Sequence, residues 1–184
     1  LQAALAAQRG YTAELSILEA KRGFCDLYAG TDGSNITEGL GDSWDIVTDM
    51  AIKLVPGGHP YHALAEAAAN AARDSDIDAA DITAITASRP GMTTLTGPLH
   101  PKDLIDMAHS PAYFLAAGAA DKQFGWANAT QEKIDDPVIH ALIDKVAVGP
   151  EPTENADAYR QGATVTIDTS NGRSVTNTVL IPTG

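Results

Sequence analysis

Gly162-Ala163-Thr164-Val165-Thr166-Ile167-Asp168-Thr169-Ser170-Asn171-Gly172 is the stretch that decides the fold. Ala163, Val165 and Ile167 alternate with Thr164, Thr166 and Asp168, the two-residue period of a strand with one buried face. Asn171-Gly172 provides the left-handed backbone of a tight hairpin, and Val175, Val179, Leu180 and Ile181 form its return strand. Upstream, Val146 and Val148 make a short strand. Ile82 and Ile85 among threonines make another over 82–86, stopped by Arg89-Pro90-Gly91. The alternation Ile52-Lys53-Leu54 within 45–55, followed by Pro56-Gly57-Gly58, predicts one more strand ending at Val55.

Helical periodicity fills the intervals. In the Ala-rich segment 61–72, Leu64, Ala68 and Ala71 share one face, with Glu66, Asn70 and Arg73 largely elsewhere. A helix begins near Asp103 or again at Ser110-Pro111, where Ser caps and Pro occupies the first turn, and runs through 112–120. A short turn follows Thr130. Asp136-Pro137 opens a further helix with Val138, Leu142 and Ile143 inward. Segments 1–9 and 12–20 are helix-like lead-ins, and the Gly- and Asp-rich 30–41 is a loop. The order β-α-β-α-α-β-β-β lacks regular βαβ repetition. It predicts an α+β fold, a two-layer sandwich with helices on one face of a mostly antiparallel sheet ending in a β-hairpin.

Composition narrows the function. At 184 residues and 44% apolar, the chain is long enough and apolar enough to build a packed core. Twelve Lys+Arg against 24 Asp+Glu leave a net charge of −12, which argues against nucleic acid and against an anionic membrane surface. No apolar run approaches the length of a membrane span. Cys25 is the lone cysteine, so the chain has no intrachain disulfide and no cysteine zinc cage, which suits a reducing, cytoplasmic setting. The uncapped helical start at Leu1 and the absence of an initiator Met predict a fragment of a longer protein.

Two segments can carry chemistry. Lys53-Leu54-Val55-Pro56-Gly57-Gly58-His59-Pro60-Tyr61-His62 sets a lysine and two histidines around a Gly-Gly loop at a helix start. Backbone N–H groups of such a loop, with the positive end of a helix, favour carboxylates. Lysine adds a point charge, and histidine moves protons near neutral pH. The combination suits a small polycarboxylate. The pattern also fits a solvated strand lysine and polar residues around a helix cap. The histidines have no acidic cluster beside them, so no metal site is expected. In His109-Ser110-Pro111-Ala112-Tyr113, the Tyr113 phenol either reaches a cleft or sits half-buried with its ring in the core.

The spacing Lys-x-x-Pro, then His, then an Ala-rich helix, resembles the MmgE/PrpD family. So does Ser110-Pro111-Ala112-Tyr113-Phe114-Leu115-Ala116-Ala117 with Asp121-Lys122-Gln123-Phe124. Lys133-Ile134-Asp135-Asp136-Pro137-Val138, Lys145-Val146 and 162–167 extend the likeness along nearly the whole chain. Leu18-Glu19-Ala20 with Gly23-Phe24 looks like the join between the family's two domains. The resemblance therefore implies the end of a helical domain over 1–22 and an α+β lid over 23–184.

The family includes 2-methylcitrate dehydratases, cis-aconitate decarboxylases and iminodisuccinate epimerases, with the active site between a helical domain and a lid and without a metal or other cofactor. It implies a dehydratase-type lyase acting on a small di- or tricarboxylate, homodimeric at full length and inactive as this fragment alone, because the helical domain's residues are missing. Lys53 matches a carboxylate-holding lysine, with Gly57 and Gly58 beside it. His62 fits one register of the family's histidine and His59 another. Tyr113 matches a hydrogen-bond donor at the reacting end, and His109 stands where a pocket residue specific to a subgroup is expected. Epimerisation or decarboxylation within the family, and a non-catalytic assembly or ligand-binding module, remain the alternatives.

Overall fold

Four strands form one sheet: β1 (Ile82–Ser88), β2 (Val146–Val148), β3 (Ala163–Thr169) and β4 (Ser174–Val179), in the spatial order β2-β1-β3-β4. The computed structural model describes residues 1–48, 50, 52–153, 156–159 and 161–183. β1 pairs with β3, and β3 with β4, antiparallel; β1 and β2 run parallel. The sheet is thus mixed, its antiparallel part centred on the hairpin. Gly172, at φ +82°, turns that hairpin and sets Ile167 opposite Val175.

Alternation in β3 buries Ala163, Val165, Ile167 and Thr169. In β1, Ile82 and Ile85 are three apart and would face opposite ways in a regular strand. A register shift between Ile82 and Ala84 absorbs one residue, so Ile82, Ile85 and Ala87 all reach the core.

The helices are α1 (Gln2–Gln8), α2 (Phe24–Ala29), α3 (Asp45–Thr48), α4 (His59–Asp74), α5 (Leu104–Ala108), α6 (Pro111–Asp121), α7 (Gln131–Ile134) and α8 (Pro137–Ile143). Asp103, Ser110, Thr130 and Asp136 cap α5 to α8, each side-chain oxygen accepting an N–H of the first turn. α4 packs against α6 and against β3 and β4. Its expected stripe of Leu64, Ala68 and Ala71 is buried, and so are Ala63, Ala65, Ala67, Ala69 and Ala72, because neighbours cover it on more than one side. Small side chains make this possible. A Cβ on Gly118 of α6 would stand 2.5 Å from the Ala65 carbonyl oxygen.

Several local expectations fail for physical reasons. The strand expected within 45–55 does not form: Asp45–Thr48 is helical, 49 and 51 lie outside the described residues, and 52–55 is irregular and pairs with neither outer strand of the described sheet, so its backbone groups gain no ladder bonds. The helix expected over 12–20 is replaced by turns at 15–19. Glu14 accepts from both the backbone N–H and the hydroxyl of Ser16, a local bond that competes with a helix too short to stand alone. In α8 the inward set is Ile139, Leu142 and Ile143, with Val138 outside. The return strand stops at Val179, leaving Leu180 and Ile181 exposed.

The chain divides into two compact units, 1–51 and 52–184. The core cluster belongs to the second. In the first, Cys25 is buried while Leu15, Tyr28, Trp44 and Val47 are exposed.

Gly118→Ala tests the helix contact. A methyl group driven into the backbone of Ala65 should cost about 1–3 kcal/mol, read as a lower urea midpoint of unfolding. An unchanged midpoint would contradict so close an approach.

Candidate functional site

The first turn of α4 gathers most of the candidate residues. Gly57 has φ +82°, and a Cβ there would stand 2.6 Å from the ring of Phe114 and 3.2 Å from Cα of Ala108. Gly58 donates its N–H to the carbonyl of Ala108 at 3.1 Å. The two glycines therefore serve close packing against the α5–α6 junction, and the Gly58 N–H is engaged within the protein.

Lys53 is exposed and irregular in backbone, not at a strand end. Its Nζ donates to Gly57 O at 2.8 Å, which folds the lysine back onto the turn. His59 is exposed at the first position of α4. Its pKa lies below the usual histidine value, through desolvation first, then the charge of Lys53 and the neighbouring His62. His62 is buried one turn further on, with its ring edge-on to His59 at 5.1 Å. It lines a cavity of about 320 Å³ with Glu66, Asn70, Arg73, Phe124 and Thr183. Lys53, His59 and His62 thus form one cluster. His109 directly follows the Ala108 carbonyl that anchors Gly58. Its Nδ1 donates to Ile105 O at 2.8 Å, leaving Nε2 as an acceptor in the neutral ring.

Tyr113 lies elsewhere. It is fully buried in α6, and its hydroxyl donates to Asn128 O at 2.8 Å. Burial, then Asp121 and Asp136, raise its pKa well above the usual phenol range, so it remains a protonated donor. Asn128 is itself held by Asp121 at 2.7 Å, and Asp121 by Lys133 at 2.7 Å. The phenol connects to the histidines through rings. Tyr113 meets Phe124 at 6.5 Å, Phe124 meets Phe114 at 4.5 Å, and Phe114 lies near-parallel to His62 at 6.3 Å. The structure therefore brings together Lys53, Gly57, Gly58, His59, His62 and the junction carrying His109, and sets Tyr113 behind them in the core.

Sequence reading passed over Arg89 as part of a strand stop. The half-buried Arg89 donates from Nη1 to the carbonyl of Pro60, in the same turn of α4. An arginine directly before Pro-Gly at a strand end was the available signal. Among the described residues no group of three or more His, Cys, Asp or Glu side chains is placed to hold a metal.

The fold and this turn define the class: an α+β domain with a cationic, histidine-bearing helix start. The family model of the MmgE/PrpD C-terminal domain matches residues 56–184, and the chain belongs to the MmgE/PrpD family. No curated protein matches the chain.

Two measurements check this geometry. In a histidine-resolved NMR titration, His59 should hold its proton only below the usual histidine pH, and Lys53→Ala should move that titration upward. No movement would mean that the lysine charge is not beside the ring. Tyr113→Phe should destabilise the chain by about 1 kcal/mol, because it removes a buried hydrogen bond. A neutral result in urea unfolding would mean the hydroxyl is not so engaged.

Proposed function

We propose that this chain is the lid of a cofactor-independent lyase of the dehydratase type, acting on a small di- or tricarboxylate. One observation carries the reading: Lys53 is folded back onto the turn that opens a 16-residue helix, and there desolvation first, and the lysine charge after it, lower the pKa of His59. Lys53 holds a substrate carboxylate. A neutral His59, or His62 behind it, accepts the proton next to that carboxylate, and water then leaves. Tyr113 acts as a positioning residue, through Phe124 and Phe114, on the face of His62.

A helical domain outside these residues completes the acid/base set, and the whole protein is a cytoplasmic homodimer. The exposed apolar side chains of unit 1, Leu15, Phe24, Tyr28 and Trp44 among them, support a covering partner. Proton removal next to a carboxylate also begins epimerisation and decarboxylation, and product analysis separates the three.

The test is turnover of 2-methylcitrate, citrate and cis-aconitate by the complete protein. Lys53→Ala and His62→Gln should each lower kcat/KM by about a hundredfold or more. Tyr113→Phe should cost about tenfold or less, and the 184-residue chain alone should turn over none of them. Full activity in Lys53→Ala, or robust turnover by the isolated chain, would overturn the reading.

A further inference from the structure

Two long cations reach the first turn of α4 from different parts of the chain. Lys53 bonds the carbonyl of Gly57, and Arg89 bonds that of Pro60, so they bracket Gly58 and His59. Arg89 also lines a cavity of about 280 Å³ with Tyr61, Leu64, Met92, Thr94 and Thr96. We propose that Arg89 anchors a second carboxylate of the substrate in this cavity, so that the site selects di- and tricarboxylates over monocarboxylates. The inference rests on the reading of Lys53 and His59 given above and names the residue that sets the substrate class.

The chemistry follows from the guanidinium. It is a planar fork of five N–H donors, and the bond to Pro60 occupies one of them. The remainder match the two oxygens of a carboxylate. Burial lowers the Arg89 pKa, and the one group that raises it is Tyr61; no described carboxylate does so. At the rim, the Glu151 carboxylate accepts the Gly91 N–H. A half-desolvated cation that has no ion-pair partner among the described residues gains more from an incoming carboxylate than a solvated one does. Tyr61, Thr94 and Thr96 bring hydroxyl-bearing side chains to the lining, and Leu64 and Met92 apolar ones. A monocarboxylate engages one cation at a time. A di- or tricarboxylate engages both.

The experiment is an NMR titration of the 184-residue chain with citrate, succinate and acetate, following the His59 ring and the Arg89 Nε–H. Citrate and succinate should shift both signals and bind about tenfold or more tighter than acetate, and Arg89→Gln should abolish that preference. If citrate shifts His59 but not Arg89, or if Arg89→Gln keeps the preference, the inference is overturned and the Lys53–His59 reading stands. If citrate shifts Arg89 alone, the carboxylate anchor stands and the proton-transfer reading falls. If neither signal moves, the inference is overturned. Should Arg89→Gln fail to fold, modification of wild-type Arg89 by phenylglyoxal decides instead. Protection by citrate but not by acetate supports the anchor, and equal protection or none overturns it.

Discussion

The approach of α4 to α6 through side chains no larger than alanine holds the rest in place. Gly118 lies on the backbone of Ala65, and Ala63, Ala67, Ala68 and Ala71 continue the small-residue surface of α4. Helices at such distance bring Phe114 of α6 beneath the turn that precedes α4, and that turn then has no room for a Cβ at residue 57. The Gly58 N–H closes the junction on Ala108. Helix packing thereby fixes where Lys53, His59 and His62 meet. No strand is needed to present the lysine. Its own bond to Gly57 O places it.

Electrostatics here is local. The chain carries −12 overall, a charge that repels anions at long range. At physiological salt the screening length is about 8 Å, so distant carboxylates weaken while groups in contact keep their influence. Lys53 contributes to the lowered pKa of His59, and Arg89 is fixed within the same turn, so both act at short range. An acidic surface and a site for acidic ligands are therefore compatible. The surface charge slows the encounter of an anion, while its hold depends on the near cations and N–H groups.

How much was legible follows from what kind of physics wrote each part. The hairpin was plain, since alternation and Asn171-Gly172 need only local rules. The caps Ser110 and Asp136 were plain for the same reason. The failed strand at 52–55 shows the limit of alternation: Ile52-Lys53-Leu54 has the pattern but pairs with neither outer strand of the described sheet, and pairing is a property of the whole sheet. The inward face of α8 was misread by one residue, because Val138 and Ile139 are equally apolar and tertiary contact alone chooses between them. For the site, the run from Lys53 to His62 was readable as one turn, since its members are neighbours in sequence. Arg89 was not, for it arrives from 29 residues away and binds through a backbone carbonyl that no side-chain pattern announces. Tyr113 carried two readings at equal spacing. Burial favours the core one, and the ring contacts still tie it to the histidines.

The pairing of an exposed His59 with a buried His62 has its own logic. In the proposed reaction a neutral imidazole is the proton acceptor, and desolvation first, then the Lys53 charge, lower the pKa of His59. The same charge opposes the product of proton transfer, because an imidazolium beside an ammonium is repelled. An anion resolves this conflict. In the proposed site, a carboxylate seated on Lys53 would cancel the repulsion and raise the basicity of His59 only while substrate is bound. On the proposed mechanism, the free site would resist protonation by solvent and the occupied site would be the stronger base. His62, by contrast, is shielded from water and lies near-parallel to the ring of Phe114. If the proposed roles hold, one cation would serve both base and substrate, which accounts for a lysine and a histidine in a single turn.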